Sequence, residues 1–186
     1  MLTRTLTHYQ FAKSLFPLLP PKNALRRAFL FGCIEPDINL FSHLDLTKRE
    51  KKPHFHGHNH PYLDQRITRL ACKLHRQQTK SSPLYFFRLG VLLHYLADSF
   101  TFAHNMNFHG NFRAHNAYEN ALHDYFLKRL CRLSTSFFQT THRFDYNKFR
   151  VNYLKTKPSL ASDFSFILLA TRAFLHAFLP KHKILR

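Results

Sequence analysis

Apolar residues recur with helical spacing through most of this chain, and this pattern is what most constrains the fold. Prolines and polar clusters divide the sequence into separate helical segments. Valine and isoleucine are scarce, and neither strand-like alternation nor an Asn-Gly turn occurs in the sequence. We therefore predict an all-α fold, with helices near residues 5–18, 23–33, 61–78, 83–102, 112–138, 146–155 and 159–179.

Length and apolar content indicate one domain, residues 1–186. Of the 186 residues, 45% are hydrophobic and 21 are phenylalanine, which is enough for one sizeable core. The expected architecture is a single-domain multi-helix bundle. The apolar run at residues 164–179 is shorter than the roughly 18 residues of a membrane span, and it contains Arg172 and His176. It predicts a buried helix and no transmembrane segment.

Charge and cysteine content restrict the partners and the compartment. The net charge of +18 favours anionic partners, either nucleic acid or phospholipid head groups at a membrane surface. The three cysteines occur singly within apolar helical patterns, which is typical of reduced core thiols. The first residues lack the apolar stretch of a secretory signal. We predict a cytoplasmic protein that can attach peripherally to a membrane.

One long segment has no helical pattern. Residues 35–61, EPDINLFSHLDLTKREKKPHFHGHNHP, are polar and include five histidines. Irregular segments of this length inside compact proteins are usually functional. The segment therefore predicts a functional loop.

The stretch LHYLADSFTFAH places His94, Asp98 and His104 close together in sequence. On a helix, His94 and Asp98 lie one turn apart on the same face, as ligands of one metal ion require. A regular helix would turn His104 about 80° away from His94 and about 120° away from Asp98. His104 would therefore either serve a neighbouring ion or follow a break in the helix.

Asp98 lies among leucine, tyrosine and phenylalanine side chains. Burying an unpaired carboxylate in such surroundings is costly, and a bound cation is the simplest compensation. His115 and Glu119 repeat the four-residue spacing on the next predicted helix. A short loop containing Gly110 turns this helix back alongside the first, so both pairs can face one bundle interior.

These motifs resemble the zinc-dependent phospholipase C family, whose helical fold is shared with single-strand-specific zinc nucleases. LHYLADSFTFAH is similar to the family's His-x3-Asp-x5-His, and HNAYE to the His-x3-Glu that follows it. FGCIEPDINLFSHL resembles the turn that carries an upstream aspartate, and THYQFAK resembles an N-terminal element. The resemblance covers roughly residues 29–119, and the last third of the chain is similar only in being helical.

The resemblance implies two zinc sites. Asp37, His94 and Asp98 would bind one ion together with a histidine of the loop before residue 61, for which His58 is preferred and His54 is the alternative. His104, His115 and Glu119 would bind the second ion. His8 resembles a histidine that helps to bind a third zinc in secreted relatives, together with an N-terminal tryptophan. This chain has no tryptophan, so the third ion stays open, with His8 still able to approach Asp98.

Phe102 departs from the resemblance, because relatives commonly have proline at this position. The change would alter how the helix ends and how His104 is aimed, without removing a ligand. His123 continues the face of His115 and Glu119, and we interpret it as a hydrogen-bonded partner of Glu119.

The resemblance implies a zinc-dependent phosphodiesterase in which metal ions activate water, and Asp37 would orient or deprotonate that water. Phospholipid is the expected substrate, with apolar side chains near the site from Phe100, Phe102, Phe108 and Phe112. Two alternatives stay open: a single-strand nuclease on the same fold, and a basic protein that binds nucleic acid or membrane without catalysis.

Overall fold

The computed structural model describes residues 2–38, 44–45, 54–55, 60–77, 81–132, 137 and 144–179. Within these ranges the chain forms seven α-helices, with one two-residue strand pair. The helices are α1 (Leu2–Ser14), α2 (Asn23–Ile38), α3 (His60–His75), α4 (Pro83–Ser99), α5 (Phe112–Leu130), α6 (Tyr146–Lys155) and α7 (Leu160–Phe178). The all-α prediction is confirmed.

Side-chain caps define the starts of the helices that matter for the site. Ser82 accepts a hydrogen bond from the Tyr85 N–H and precedes Pro83, and Asn111 accepts one from the Ala114 N–H. Ser159 and Ser162 form a reciprocal capping box at the start of α7. These local signals explain why the predicted starts of α4 and α5 are correct and that of α7 is one residue early.

Six of the seven described helices end at different places from those predicted, α5 by eight residues, and two of these ends matter for the site. α2 continues to Ile38 with Pro36 in its last turn, so Asp37 lies on a helix and not in the loop. α4 ends at Ser99, and a separate 3₁₀ turn, Phe102–His104, follows it. A break in the helix therefore precedes His104, one of the two arrangements left open by the angular argument.

The predicted loop at residues 35–61 lies partly outside the described residues. Its first four residues belong to α2, and two short strands, β1 (Leu44–Asp45) and β2 (His54–Phe55), pair antiparallel within it. His56 and His58 are not among the described residues, and of His54 only the backbone is described.

A close approach of α2 to α4 is made possible by two glycines. A Cβ on Gly90 would lie 2.1 Å from the Phe29 carbonyl oxygen, and a Cβ on Gly32 would lie 2.0 Å from that of Phe87. Only glycine permits backbones at this distance. The two helices make the most extensive contact in the described structure, and this contact brings the end of α2 beside the middle of α4.

All seven helices contribute to one apolar core, which is rich in phenylalanine. α7 is long and apolar enough to cross a membrane by length and composition, yet half of that stretch is buried inside the protein. It packs against α4, α5 and α6. These contacts agree with the prediction of a buried helix.

Two expectations about packing and thiols are wrong. α5 packs mainly against α1 and α7 and not along α4, because α1 contributes the surface that α5 covers. Cys33 is in the core, where burial raises the pKa of its thiol well above the usual value, but Cys72 and Cys131 are exposed. The apolar residues near these two face the core from neighbouring helical positions, so the cysteines themselves point outward.

Candidate metal centre

The first cluster of the site joins α1 to α4. His94 Nε2 lies 3.3 Å from Asp98 Oδ2, and His8 Nε2 lies 3.1 Å from Asp98 Oδ1. The His8 and His94 rings stack with their centroids 4.0 Å apart. Both oxygens of one buried carboxylate are therefore shared between imidazoles from two helices. We call His8, His94 and Asp98 the first triad.

The backbone of α2 determines which nitrogen His94 presents. His94 Nδ1 donates to the Cys33 carbonyl oxygen at 2.8 Å, because a carbonyl oxygen can only accept. In the neutral ring the lone pair is then on Nε2, which faces Asp98. A second interaction that fixes the tautomer and the ring orientation in this way is usual for metal-binding histidines.

Asp37 lies at the edge of the first triad. Its Oδ1 is 3.8 Å from His94 Nε2, and its side chain is buried. Its Oδ2 is buried without a hydrogen-bond partner among the described residues. A buried carboxylate oxygen in this state is costly unless a cation or a proton-bearing group faces it.

The second cluster joins the 3₁₀ turn to α5. His104 Nε2 lies 3.0 Å and His115 Nε2 lies 3.1 Å from the same atom, Glu119 Oε1. The two rings are perpendicular, with centroids 5.1 Å apart. Because the helix breaks after Ser99, His104 points at α5 and not along the face of His94. We call His104, His115 and Glu119 the second triad.

One pocket connects the two triads. Its walls include His8 and Asp98 of the first triad and His104 and Glu119 of the second, and its volume is about 40 Å³. Since roughly 10–15 Å³ of such space holds one water, the pocket has room for small ions and a few waters. Apolar side chains of α1, α5 and α7 line the rest, namely Phe11, Leu122, Phe126 and Ile167.

The residues present fit zinc. Both triads offer imidazole nitrogens and carboxylate oxygens, which are the N and O ligands that zinc binds at about 2.0–2.2 Å. Two such ligands of a tetrahedral ion lie about 3.3 Å apart. The distances of 3.0–3.3 Å within the triads are close to this value. The buried Asp37 Oδ2, which has no hydrogen-bond partner among the described residues, adds a further donor beside the first triad.

The structure thus brings together seven of the eight residues selected from the sequence: His8, Asp37, His94, Asp98, His104, His115 and Glu119. The eighth, His58, lies outside the described residues, so the choice between His58 and His54 stays a prediction. The assignment of all eight as ligands, and of Asp37 to the reacting water, also stays a prediction.

Two other predictions about side chains near the site are wrong, and Phe102 makes a contact that was not predicted. His123 Nδ1 lies 2.7 Å from Thr7 Oγ1, so its described hydrogen bond joins α5 to α1 and does not involve Glu119. Phe100 is fully buried in the core and cannot line an open site. Phe102 uses its backbone N–H in a hydrogen bond to Asp163 Oδ2 at 2.8 Å, a bond that proline could not make.

The sequence reasoning missed Asp163, a fully buried carboxylate on α7. It accepts hydrogen bonds from Phe102, Tyr118 and Tyr153. Burial raises the pKa of Asp163 to about 6, and these three hydrogen bonds act in the opposite direction. The signal that could have identified it is the one that singled out Asp98: an acidic residue inside an apolar helical run.

Seven helices and two histidine–carboxylate triads that face one pocket define a helical protein with a candidate dinuclear metal centre. The family model described as zinc dependent phospholipase C matches residues 7–169. The chain therefore belongs to the zinc-dependent phospholipase C family. Neither the curated proteins nor the solved structures gave a match to this chain.

Proposed function

We propose that this protein is a zinc-dependent phosphodiesterase of the phospholipase C type. In the reaction, water adds to the phosphorus of a phospholipid and the bond from phosphorus to the diacylglycerol oxygen breaks. The products are diacylglycerol and a phosphorylated head group, and the proton lost by water ends on the diacylglycerol hydroxyl. The observation that carries the proposal is the pair of triads on one pocket in a chain of this family.

Zinc bound by the triads would supply a water of lowered pKa and positive charge near the phosphate oxygens. The other requirements fall to the chain's own residues. Cys33 and Asp98 orient His94, and the shared oxygen of Glu119 orients His104 and His115. Asp37 is the group we assign to hold the attacking water and accept its proton, because its Oδ2 is buried and has no other described partner.

Apolar exposure beside the second triad supports lipid as the substrate class. Met106 and Phe112 are 74% and 79% exposed, the highest values among the large apolar side chains that are exposed in the described structure. Both belong to the segment between His104 and His115. We call Met106 and Phe112 the apolar lip. Phe102 and Phe108, also close to the second triad in sequence, pack against each other with ring centroids 5.4 Å apart.

Charge alone does not distinguish the substrate classes. A chain of net charge +18 attracts both anionic membranes and nucleic acids, and salt weakens both attractions. A nuclease needs a surface on which a base can stack, whereas a phospholipase needs an apolar surface that meets acyl chains. The lip offers methionine as well as phenylalanine, which favours acyl chains over stacked bases.

The test compares turnover on the two substrate classes. Zinc-loaded protein is given phosphatidylcholine or phosphatidylethanolamine vesicles and, separately, single-stranded DNA, with an Asp98→Asn variant as the inactive control. We expect release of phosphorylated head group to exceed release of nucleotides, and the variant to release neither. DNA cleavage without lipid hydrolysis would establish the nuclease alternative. Binding of either substrate without turnover, or protein without bound metal, would establish the non-catalytic alternative.

A further inference from the structure

Asp163 is the one buried carboxylate among the described residues that lies outside the two triads and Asp37. It is fully buried on α7, far along the chain from every proposed ligand. Its Oδ2 accepts from the Phe102 backbone N–H at 2.8 Å and from the Tyr118 hydroxyl at 2.9 Å. Its Oδ1 accepts from the Tyr153 hydroxyl at 2.7 Å. Both oxygens are therefore satisfied by donors from three other segments.

Two of these donors are next to the second triad. Phe102 is the first residue of the 3₁₀ turn that ends at His104, and Tyr118 directly precedes Glu119 on α5. One carboxylate oxygen thus joins the turn that carries one ligand to the helix that carries the other two. None of these hydrogen bonds of Asp163 reaches α1, which supplies the first triad's second imidazole, His8.

Arg150 of α6 holds the same turn from its other side. Its Nη1 donates to the Ser99 carbonyl oxygen at 2.6 Å, and its Nη2 donates to Asn105 Oδ1. Asn105 in turn donates to the Thr101 carbonyl oxygen at 2.7 Å. The segment from Ser99 to Asn105 is therefore bound at both ends by one buried guanidinium.

Burying the Asp163 carboxylate and the Arg150 guanidinium is not an efficient way to stabilise a helical core. A buried carboxylate or guanidinium loses its hydration, and apolar residues of similar volume often stabilise a protein as well or better. What hydrogen bonds add is direction, because each one specifies where a backbone group must lie. The segment from Ser99 to Asn105 takes part in three such bonds, one with Asp163 and two with Arg150, and they keep the His104 imidazole aimed at Glu119.

We propose that Asp163 is a positioning residue for the second triad, supported by Arg150, and that the C-terminal helices thereby set the zinc affinity of that triad. This inference rests on the proposed function in taking zinc as the metal. Asp163 does not line the pocket, and its hydrogen-bond partners among the described residues are not proposed ligands, so it acts through Phe102 and Tyr118.

The experiment measures zinc affinity at each triad separately. Metal-free protein is titrated with zinc against a competing chelator, and Asp98→Asn and Glu119→Gln identify which affinity belongs to which triad. Asp163→Ala should weaken the second triad by about 10–100-fold, the usual effect of removing a group that orients metal ligands. The first triad should change by less than about threefold, a small fraction of that effect.

Asp163→Asn is the rescue variant. Its amide oxygen can accept from Phe102 and Tyr118, while its amide nitrogen can donate to the Tyr153 hydroxyl, which also accepts. We expect this variant to retain most of the second triad's affinity. Leu168→Ala is the control for lost stability, because Leu168 is also buried on α7 and its side chain cannot form a hydrogen bond with the turn.

Each outcome decides one question. If Asp163→Ala weakens both triads alike, as Leu168→Ala would through lost stability, or weakens neither, the positioning role is overturned. If Asp163→Ala does not fold, Tyr118→Phe replaces it: a selective loss at the second triad supports the role, and unchanged affinity overturns it. Protein that binds two zinc ions but hydrolyses no phosphodiester would overturn the proposed function and leave this inference intact.

Discussion

At the scale of single residues, Asp98 is the carboxylate that contacts both imidazoles of the first triad. Its two oxygens lie 3.1 Å from His8 Nε2 and 3.3 Å from His94 Nε2. A carboxylate in this position lowers the energy of any cation placed between the rings, and an amide offers only one oxygen and no charge. Asp98 is therefore the residue whose chemistry should separate metal binding from folding.

We expect Asp98→Asn to lose one zinc ion per chain and to lower hydrolysis of bis-p-nitrophenyl phosphate by about a hundredfold or more, the upper range for disturbed metal ligation. The unfolding free energy of the metal-free protein should change by less than about 1 kcal/mol, because the side chain keeps its shape. Elemental analysis, the hydrolysis rate and urea unfolding measure the three effects. Asp124→Asn, an exposed position on α5, is the control and should change none of them. Full zinc content in Asp98→Asn would contradict the assignment.

The pH dependence of stability offers a second test at this scale. Burial raises the pKa of Asp163 to about 6 in the folded protein, against about 3.9 for an unfolded carboxyl. Between these values the folded state holds a proton that the unfolded state has released. The contribution of Asp163 to stability is therefore complete below about pH 4 and decreases as pH rises through about 6.

We expect the unfolding free energy of metal-free wild type, relative to Asp163→Asn, to decrease by roughly 3 kcal/mol between pH 4 and pH 7. Urea unfolding of both proteins across this range measures the difference, and other titrating groups cancel because the two proteins share them. A difference that stays constant with pH would show that Asp163 has an ordinary pKa, and one that increases would show that its pKa is lowered; either result contradicts the expectation.

At the scale of elements, the glycine contact between α2 and α4 decides whether the first triad forms. It brings the Cys33 carbonyl oxygen to His94 Nδ1 and the Asp37 carboxylate to His94 Nε2. A wider separation would remove both partners of His94 at once. At these glycines, helix propensity favours alanine, whereas close packing excludes its Cβ. The sign of the stability change on substitution therefore shows which effect is larger.

Gly90→Ala should destabilise the protein by about 1–3 kcal/mol, the range for overpacked cores. Propensity alone predicts the opposite, a gain of about 1 kcal/mol. The added Cβ would lie 2.1 Å from the Phe29 carbonyl oxygen and 2.8 Å from the Cys33 nitrogen, so α2 must shift. Zinc affinity should fall at the first triad and persist at the second. Thermal unfolding and the zinc titration measure these effects, and a more stable variant would refute the close contact.

The apolar lip is the element that should meet the membrane. We expect the double variant Met106→Ser, Phe112→Ser to bind vesicles about 10–100-fold more weakly, because burying one large apolar side chain is worth about 1.5–3 kcal/mol. Its rate on the soluble substrate p-nitrophenyl phosphocholine should match wild type. Vesicle sedimentation and the two hydrolysis rates test this.

The matched control for the lip is Val151→Ser, Leu154→Ser, which removes two exposed apolar side chains from α6. Equal losses of vesicle binding in both double variants would show that general surface hydrophobicity, and not the lip, carries the interaction.

At the scale of the whole molecule, the proposed ligands tie together distant parts of the chain. They extend from His8 on α1 to Glu119 on α5, with Asp37 and His94 between them. Ions bound by these residues would crosslink helices in the folded state only. Folding and metal binding are then linked, and the linkage can be measured without any substrate.

We expect removal of zinc by a chelator to lower the unfolding free energy by about 4 kcal/mol for each bound ion, relative to protein with zinc at 1,000 times its dissociation constant. Unfolding midpoints with and without zinc give the measurement. The double variant Asp98→Asn, Glu119→Gln should show a much smaller zinc-dependent shift. Equal midpoints for wild type in both conditions would contradict metal binding by the folded protein.

Local sequence was sufficient for much of the fold and for two of the three residues of each triad. Helical spacing and caps determine where α4, α5 and α6 begin, and the all-α class follows from them. The pairs His94–Asp98 and His115–Glu119 could be recognised because residues four apart share one helix face whatever the helix packs against. The resemblance to a family added Asp37 and assigned His104 to the second ion through motif order.

Only the tertiary structure decided which faces of the helices meet. It stacked His8 on His94 across a separation of 86 residues, and it placed Asp163 on a turn 61 residues earlier in the chain. It also turned α5 toward α1 and α7, and it assigned the Cys33 carbonyl oxygen to His94. Helical periodicity encodes only the buried side of each helix. The partner of that side depends on how all the side chains pack together and on where a glycine lets two backbones touch.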